Sequence, residues 1–70
     1  MNIDYGKVVK YDGRSGNIID DQGINYLFLA SDVVSKEIKS GDYVTFHKEI
    51  FSTLDIKKNV ARFVSKININ

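Results

Sequence analysis

The fold is decided by residues 3–29, whose sequence is IDYGKVVKYDGRSGNIIDDQGINYLFL. This segment contains three stretches of strand-forming residues, at 3–11, 16–21 and 24–29. Two short glycine-containing turns separate them, and the first contains Asp12-Gly13, a strong signal for a tight hairpin turn. The spacing predicts a three-stranded meander with short loops.

The rest of the chain predicts one helical turn and two further strands. Ser31–Val34 breaks the strand pattern, and it begins with Ser and Asp, which are able to cap a single helical turn. The segment 42–49 alternates with Val44 and Phe46 on one face, so we expect a strand there with those two side chains in the core. Residues 52–58 are polar enough to predict a loop, and a fifth strand is predicted at 59–68.

The composition also favours strands over helices. The chain has nine Ile and seven Val, but only two Ala and two Glu. Five short strands with a helical turn between the third and fourth suggest a small closed barrel, because closure protects the strand edges. The candidates are an SH3-like barrel and a five-stranded OB barrel, and the meander followed by a return hairpin favours the latter. We therefore predict one all-β domain over residues 1–70, a five-stranded antiparallel OB-type barrel.

The composition excludes several classes of protein. The 70 residues include no cysteine and one histidine, which removes disulfide frameworks, cysteine zinc sites and His-rich metal sites and fits a reducing compartment. The longest apolar run, Tyr26–Ala30, is far shorter than the ~20 residues of a membrane helix. The first residues, MNIDYG, lack the character of a signal peptide. We therefore expect a cytoplasmic protein without a membrane span, a metal or another cofactor.

The charges are distributed unevenly along the chain. The net charge is only +1, but residues 1–35 carry three basic against five acidic side chains, and residues 36–70 carry seven against four. The basic residues of the second half include a group that is close in sequence: Lys57, Lys58, Arg62 and Lys66. Such a group is either a solvated strand face or a stripe that contacts phosphates.

Four segments, in this order and at this spacing, resemble the cold-shock domain family. Gly6-Lys7-Val8-Val9-Lys10-Tyr11-Asp12, followed by Gly16, is similar to the family's opening strand and the glycine of its first binding motif. The other three segments are similar to its third strand, the entry to its fourth strand and part of its fifth: 25–33, 41–46 and 61–64. The resemblance covers roughly residues 5–67 and implies an OB-type barrel in which Tyr26 and Phe28 face the core.

The chain departs from the family at the aromatic positions on which bases stack. Asn17 and Ile19 stand where the family has two Phe, and Leu27, Leu29 and Ala30 stand where it has Phe, His and Phe. Lys10 falls at the position of the usual Trp, although a slip of one residue would place Tyr11 there. Since each stacked base contributes about 1–3 kcal/mol, the affinity for nucleic acid is expected to be low and largely electrostatic.

The resemblance implies that the chain binds single-stranded RNA or DNA on the face of the first three strands, with basic residues of the fifth strand region holding the backbone. The binding residues expected from it are Lys7, Lys10, Tyr11, Asn17, Ile19, Leu27, Leu29, Lys57, Lys58 and Arg62. Tyr11 is the best candidate for an exposed stacking residue. Phe51 is expected either to cover the end of the barrel or to face a ligand.

The alternative hypothesis is a protein-interaction module or a homodimer on the same barrel. In that case Ile19, Leu27 and Leu29 would bury against a partner chain or a second copy. An aromatic face favours nucleic acid and an aliphatic face favours protein, and this face is mostly aliphatic.

Catalysis is not predicted. His47 is isolated from other candidate groups, and Asp20-Asp21 belongs to a turn before Gly23. The segment 13–16 is glycine-rich but lacks the Gly-Lys-Ser/Thr of a phosphate-binding loop. A filled five-stranded barrel also offers little concave surface for an active site.

Overall fold

Strand-forming residues make up most of the computed structural model, which describes residues 3–35 and 37–67. The strands are β1 (Asp4–Tyr11), β2 (Ser15–Asp20), β3 (Asn25–Leu29), β4 (Tyr43–Ser52) and β5 (Lys57–Lys66). Residues Ala30–Asp32 form a single 3-10 turn between β3 and β4. The helical turn predicted at 31–34 is therefore confirmed with a shift of one or two residues. The last predicted residue of the fifth strand, 68, lies outside the described residues.

The strands close into a barrel in the order β1-β2-β3-β5-β4, with β4 pairing back to β1. This is the arrangement of an OB-type barrel, and the predicted all-β fold class is confirmed. One pair, β3 with β5, is parallel and meets at Leu27 and Val60, whereas the sequence analysis predicted only antiparallel pairing. The reason is geometric: when an odd number of strands closes into a ring, strand directions cannot alternate at every junction.

The barrel interior is filled by side chains that alternate along the strands. Val44, Phe46, Tyr26 and Phe28 are all buried, as the sequence predicted, and the rest of the buried apolar core is Val8, Ile18, Ile38, Ala61 and Val64. The rings of Tyr26 and Phe46 pack 5.0 Å apart. With the core occupied in this way, the remaining places for a ligand are on the outer surface.

Gly16 marks a point of very close packing between strands. A Cβ atom at this position would lie 2.8 Å from Phe28 Cζ, and it would lie closer still to the Lys10 carbonyl oxygen. Carbon atoms pack at about 3.5–4.0 Å, so β2 passes between β1 and β3 only because residue 16 has no side chain.

The segment 52–58, predicted as a loop, is mostly a hairpin. β4 continues to Ser52, β5 begins at Lys57, and Thr53 N–H donates to the Ile56 carbonyl oxygen (2.7 Å) to close the turn. Backbone hydrogen bonds between paired strands do not depend on side-chain polarity, so a polar sequence is compatible with a hairpin. The Phe51 side chain stays 48% exposed on this hairpin, so the expectation that it covers the barrel end was wrong. The molecule measures 43 Å along its longest axis, against 24 and 21 Å across it.

No helix in the described part of the chain is long and apolar enough to cross a membrane.

Candidate functional site

An open groove of about 800 Å³ runs across the outer surface of β2 and β3. Its walls include Lys10 at the end of β1 and Lys58 at the start of β5, and its lining includes Tyr11, Asn17, Asn25 and Leu27. We call this the β2–β3 groove. β3 and β5 pair at Leu27 and Val60, and the two residues that precede Val60 in β5, Lys58 and Asn59, line the groove.

Two lysines give the β2–β3 groove its positive charge. The strand order places Lys10 and Lys58 on either side of β2 and β3. The ion pairs among residues 3–35 and 37–67 involve Arg62 and Lys66, and neither groove lysine takes part in one. Both ammonium groups are thus available to an anion.

The carboxylate of Asp12 also lines the groove, but it is committed to the β1–β2 turn. Its Oδ1 accepts hydrogen bonds from the backbone N–H groups of Arg14 (2.8 Å) and Ser15 (2.9 Å). The bonds from Ser15 and Arg14, together with nearby Lys10, lower the pKa of Asp12. The group therefore stays ionised at neutral pH and offsets part of the positive charge of Lys10.

Two amide side chains lie on the floor of the groove. Asn17 donates through Nδ2 to Asn25 Oδ1 at 2.9 Å, across the β2–β3 pair. The Asn17 Oδ1 atom is buried and has no hydrogen-bond partner in the described residues. A buried carbonyl oxygen without a partner is energetically costly.

Tyr11 is only a partial stacking platform. It is half-buried, and its ring packs against Phe28 at 5.2 Å between centroids. One side of the phenol is thus used by the core, while the residue still lines the groove.

The aliphatic residues of the expected face share the outer surface of β2 and β3. Ile19, Leu27 and Leu29 are 37%, 46% and 51% exposed. Leu27 lies opposite Asn17, and Ile19 lies opposite Asn25, so apolar and amide side chains alternate across the two strands. Ile19 and Leu29 lie outside the lining of the groove.

Arg62 has a structural role that the sequence did not reveal. Its Nη1 bonds to Asp32 Oδ1 and its Nε bonds to Glu49 Oε2, both at 3.1 Å. The hydrogen bond to Glu49 and the charge of Asp32 are the main causes that raise the pKa of Arg62. Asp32 is buried and also accepts from the Leu29 N–H group (2.9 Å), so this cluster ties the 3-10 turn to β5 and β4. The charge of Arg62 is already compensated, and it is a poor candidate for a phosphate contact.

The structure therefore brings together five of the residues expected from the sequence. Lys10, Tyr11, Asn17, Leu27 and Lys58 line one groove. The other expected residues lie elsewhere: Lys7, Ile19, Leu29, Lys57 and Arg62.

Sequence analysis missed further lining residues, some of which alternation along β2 and β3 could have identified. Asn25 occupies the same face as Leu27 by alternation, so the pattern of β3 was sufficient to find it. Ser40 lies in the segment that connects the 3-10 turn to β4, and Asn59 lies in β5, where it was predicted to be the first residue of the strand. Nothing in the local sequence marks either of them as a residue of a binding site.

Comparison with known proteins does not identify a family. No protein-family model matches the chain, and no curated protein matches it either. In the described residues there is also no group of three or more His, Cys, Asp or Glu side chains arranged to hold a metal ion. The case for a ligand depends on the chemistry of the groove itself.

Proposed function

We propose that the chain is a divergent cold-shock-like OB domain that binds single-stranded RNA or DNA in the β2–β3 groove. The observation that carries the proposal is the position of Lys10 and Lys58 on the two sides of a groove floored by amide and apolar side chains. Phosphates would pair with the two ammonium groups while bases lie over Leu27 and beside Tyr11. The resemblance to cold-shock domains also favours nucleic-acid binding on this face of the barrel.

The proposed binding is weak and depends on salt. Among the described residues that line the groove, Tyr11 is a half-buried aromatic ring and Tyr26 is buried, while Leu27 supplies contact without π-stacking. Each phosphate contact to a single strand contributes about 0.7 to the slope of log K against log salt. Electrostatics therefore accounts for most of the affinity, and the groove carries binding rather than catalytic chemistry.

The proposal is tested by titrating labelled oligonucleotides at two or more salt concentrations. The double variant with Lys10→Ala and Lys58→Ala removes two phosphate contacts and should lower the salt slope by about 1.4. Tyr11→Ala should weaken binding with little change in slope, because stacking releases no counterions. Lys48→Ala is the matched control, since Lys48 is an exposed strand lysine outside the groove.

Three outcomes would contradict the proposal. They are an absence of binding at low salt, a slope that the double variant leaves unchanged, and an equal effect of Lys48→Ala.

A protein-interaction function is the second candidate, and the exposure of Ile19, Leu27 and Leu29 favours it. These three side chains form a diagonal apolar strip across β2 and β3. Under this hypothesis Leu27→Lys abolishes association with a partner or a second copy. Measurement of the mass of the protein in solution, with and without this substitution, separates the two candidates when it accompanies the titration.

A further inference from the structure

A second outer face of the barrel carries most of its exposed aromatic rings. Tyr5, Tyr43 and Phe63 are 65%, 53% and 65% exposed, and His47 is half-buried beside them. These residues belong to β1, β4 and β5, not to the β2–β3 groove. We call this surface the β1–β4 aromatic face.

The strand register makes the four rings neighbours. Tyr5 lies opposite Thr45, which makes it the diagonal neighbour of both Tyr43 and His47. Diagonal neighbours in an antiparallel pair are about 7–8 Å apart, within reach of aromatic side chains. The rings of His47 and Phe63 are 5.3 Å apart and meet edge to face. The four residues therefore lie on one face across three strands, with the rings of His47 and Phe63 in contact.

The backbone of Phe63 is held in an unusual conformation. Its φ is +53°, which places a bulky residue in the left-handed region, and the β4–β5 register shifts between Thr45 and His47 at this point. Such a bulge redirects side chains, and residues held at unfavourable φ values concentrate at functional sites. Because the Phe63 side chain is 65% exposed, its burial offsets little of the conformational free energy that this φ value costs.

The charge around the aromatic face suits an anion. Lys7 Nζ lies 5.6 Å from the centroid of the Tyr43 ring. Of the nearby carboxylates, Asp42 pairs with Lys66 (3.6 Å), Glu49 pairs with Arg62 (3.1 Å), and Asp4 has a buried Oδ2 without a hydrogen-bond partner in the described residues.

Lys7 also connects this face to the other one. It lies opposite Tyr43 in the β1–β4 pair and opposite Ile19 in the β1–β2 pair. A chain of phosphates that left the β2–β3 groove across β1 would meet Lys7 before it reached the aromatic face.

We propose that the β1–β4 aromatic face is a second contact surface for single-stranded nucleic acid, on which bases stack once the strand has passed Lys7. Exposed aromatic side chains next to cations are the usual platform for unpaired bases. This inference rests on the proposed function, because it extends the path of the same ligand around the barrel.

The test compares two oligonucleotide lengths. Sites on OB folds cover about 4–16 nucleotides, so dT4 and dT16 are titrated by fluorescence anisotropy at low salt. Tyr43→Ala and, separately, Tyr5→Ala should weaken dT16 binding about 5- to 150-fold, the fold-change that corresponds to losing about 1–3 kcal/mol of stacking per base. Both variants should bind dT4 like the parent protein.

Matched variants and a stability measurement control for indirect effects. Tyr43→Phe keeps the ring and should retain dT16 binding. Ile56→Ala shortens a side chain about as exposed as that of Tyr43 but located in the β4–β5 turn, and it should also have no effect. Thermal melting identifies a variant that has lost its fold, and because Tyr5 and Tyr43 are on different strands, one remains informative if the other unfolds.

The outcomes separate this inference from the function on which it rests. If neither oligonucleotide binds the parent protein, the proposed function fails and this inference fails with it. If both bind and the groove lysines matter, but Tyr43→Ala and Tyr5→Ala leave dT16 binding unchanged, only the second surface is refuted. If the same substitutions instead dissociate an oligomer, the face contacts a second copy of the chain, and the inference is likewise wrong.

Discussion

Gly16→Ala tests the close packing beneath the β2–β3 groove. The new Cβ would lie 2.8 Å from Phe28 Cζ, in a ring that is completely buried, and closer still to the Lys10 carbonyl oxygen. Normal carbon contacts of about 3.5–4.0 Å require the ring to move by roughly 0.7–1.2 Å. The Phe28 ring cannot move freely, since it packs against Tyr11 at 5.2 Å, and the carbonyl belongs to the backbone of β1.

The sign of the stability change shows whether the position of Gly16 is too crowded to accept a methyl group. Overpacking costs about 1–3 kcal/mol, and two simultaneous clashes put Gly16→Ala towards the upper end of that range. Because Gly16 does not have a positive φ, alanine would otherwise stabilise the protein by about 0.4–1 kcal/mol through the unfolded state. We expect a net loss of about 1–2.5 kcal/mol, which lowers the melting temperature by roughly 4–20 °C in a domain of this size.

Thermal unfolding followed by far-UV circular dichroism measures this change. Ser15→Ala, at the neighbouring position of β2, is the control and should melt close to the parent protein. A Gly16→Ala protein that melts at the parental temperature or above would refute the close approach of β1, β2 and β3. Titration with an oligonucleotide then tests whether displacement of Phe28 also moves Tyr11 in the groove.

Two further predictions concern the core and the response to acid. Phe46→Ala should cost about 3–5 kcal/mol, because Phe46 is completely buried; a melting temperature within a few degrees of the parent would show that this face of β4 is not in the core. Asp12 has a lowered pKa in the folded protein, so its contribution to stability is present above about pH 4 and is lost as the pH falls through the folded value. Asp12→Asn should therefore reduce the difference between melting temperatures at pH 7 and pH 3, and an unchanged difference would contradict the role of this turn carboxylate.

The sequence predicted the fold well because the barrel depends on local signals. Asp12-Gly13 closes the first turn, and Val44 and Phe46 alternate into the core. The length of the β4–β5 hairpin was not predictable in this way. Near the turn, polar residues are mixed with exposed apolar ones such as Leu54 and Ile56, so no clean alternation marks the strands, and their pairing depends on backbone hydrogen bonds that any side chain permits.

The candidate site was predictable only where alternation determines which face a residue occupies. Leu27 and Asn17 were expected on the outer face from the resemblance to cold-shock domains, and they lie opposite each other there, in agreement with the alternation along β2 and β3. Arg62 was expected at a phosphate because it belongs to a basic group in the sequence. Its two carboxylate partners, Asp32 and Glu49, come from other elements of the fold. The sequence around Arg62 therefore does not indicate that its charge is compensated.

The parallel pairing of β3 with β5 also has a consequence for how the barrel opens and closes. The β1–β2, β2–β3 and β4–β5 pairs join strands that are adjacent in sequence, so they form with short chain closures. Leu27 and Val60 meet across more than thirty intervening residues, which makes their junction entropically expensive and supported by little pairing. We therefore expect the backbone amides along the β3–β5 junction to be the least protected from hydrogen exchange in the barrel, and any opening there would widen the adjacent β2–β3 groove.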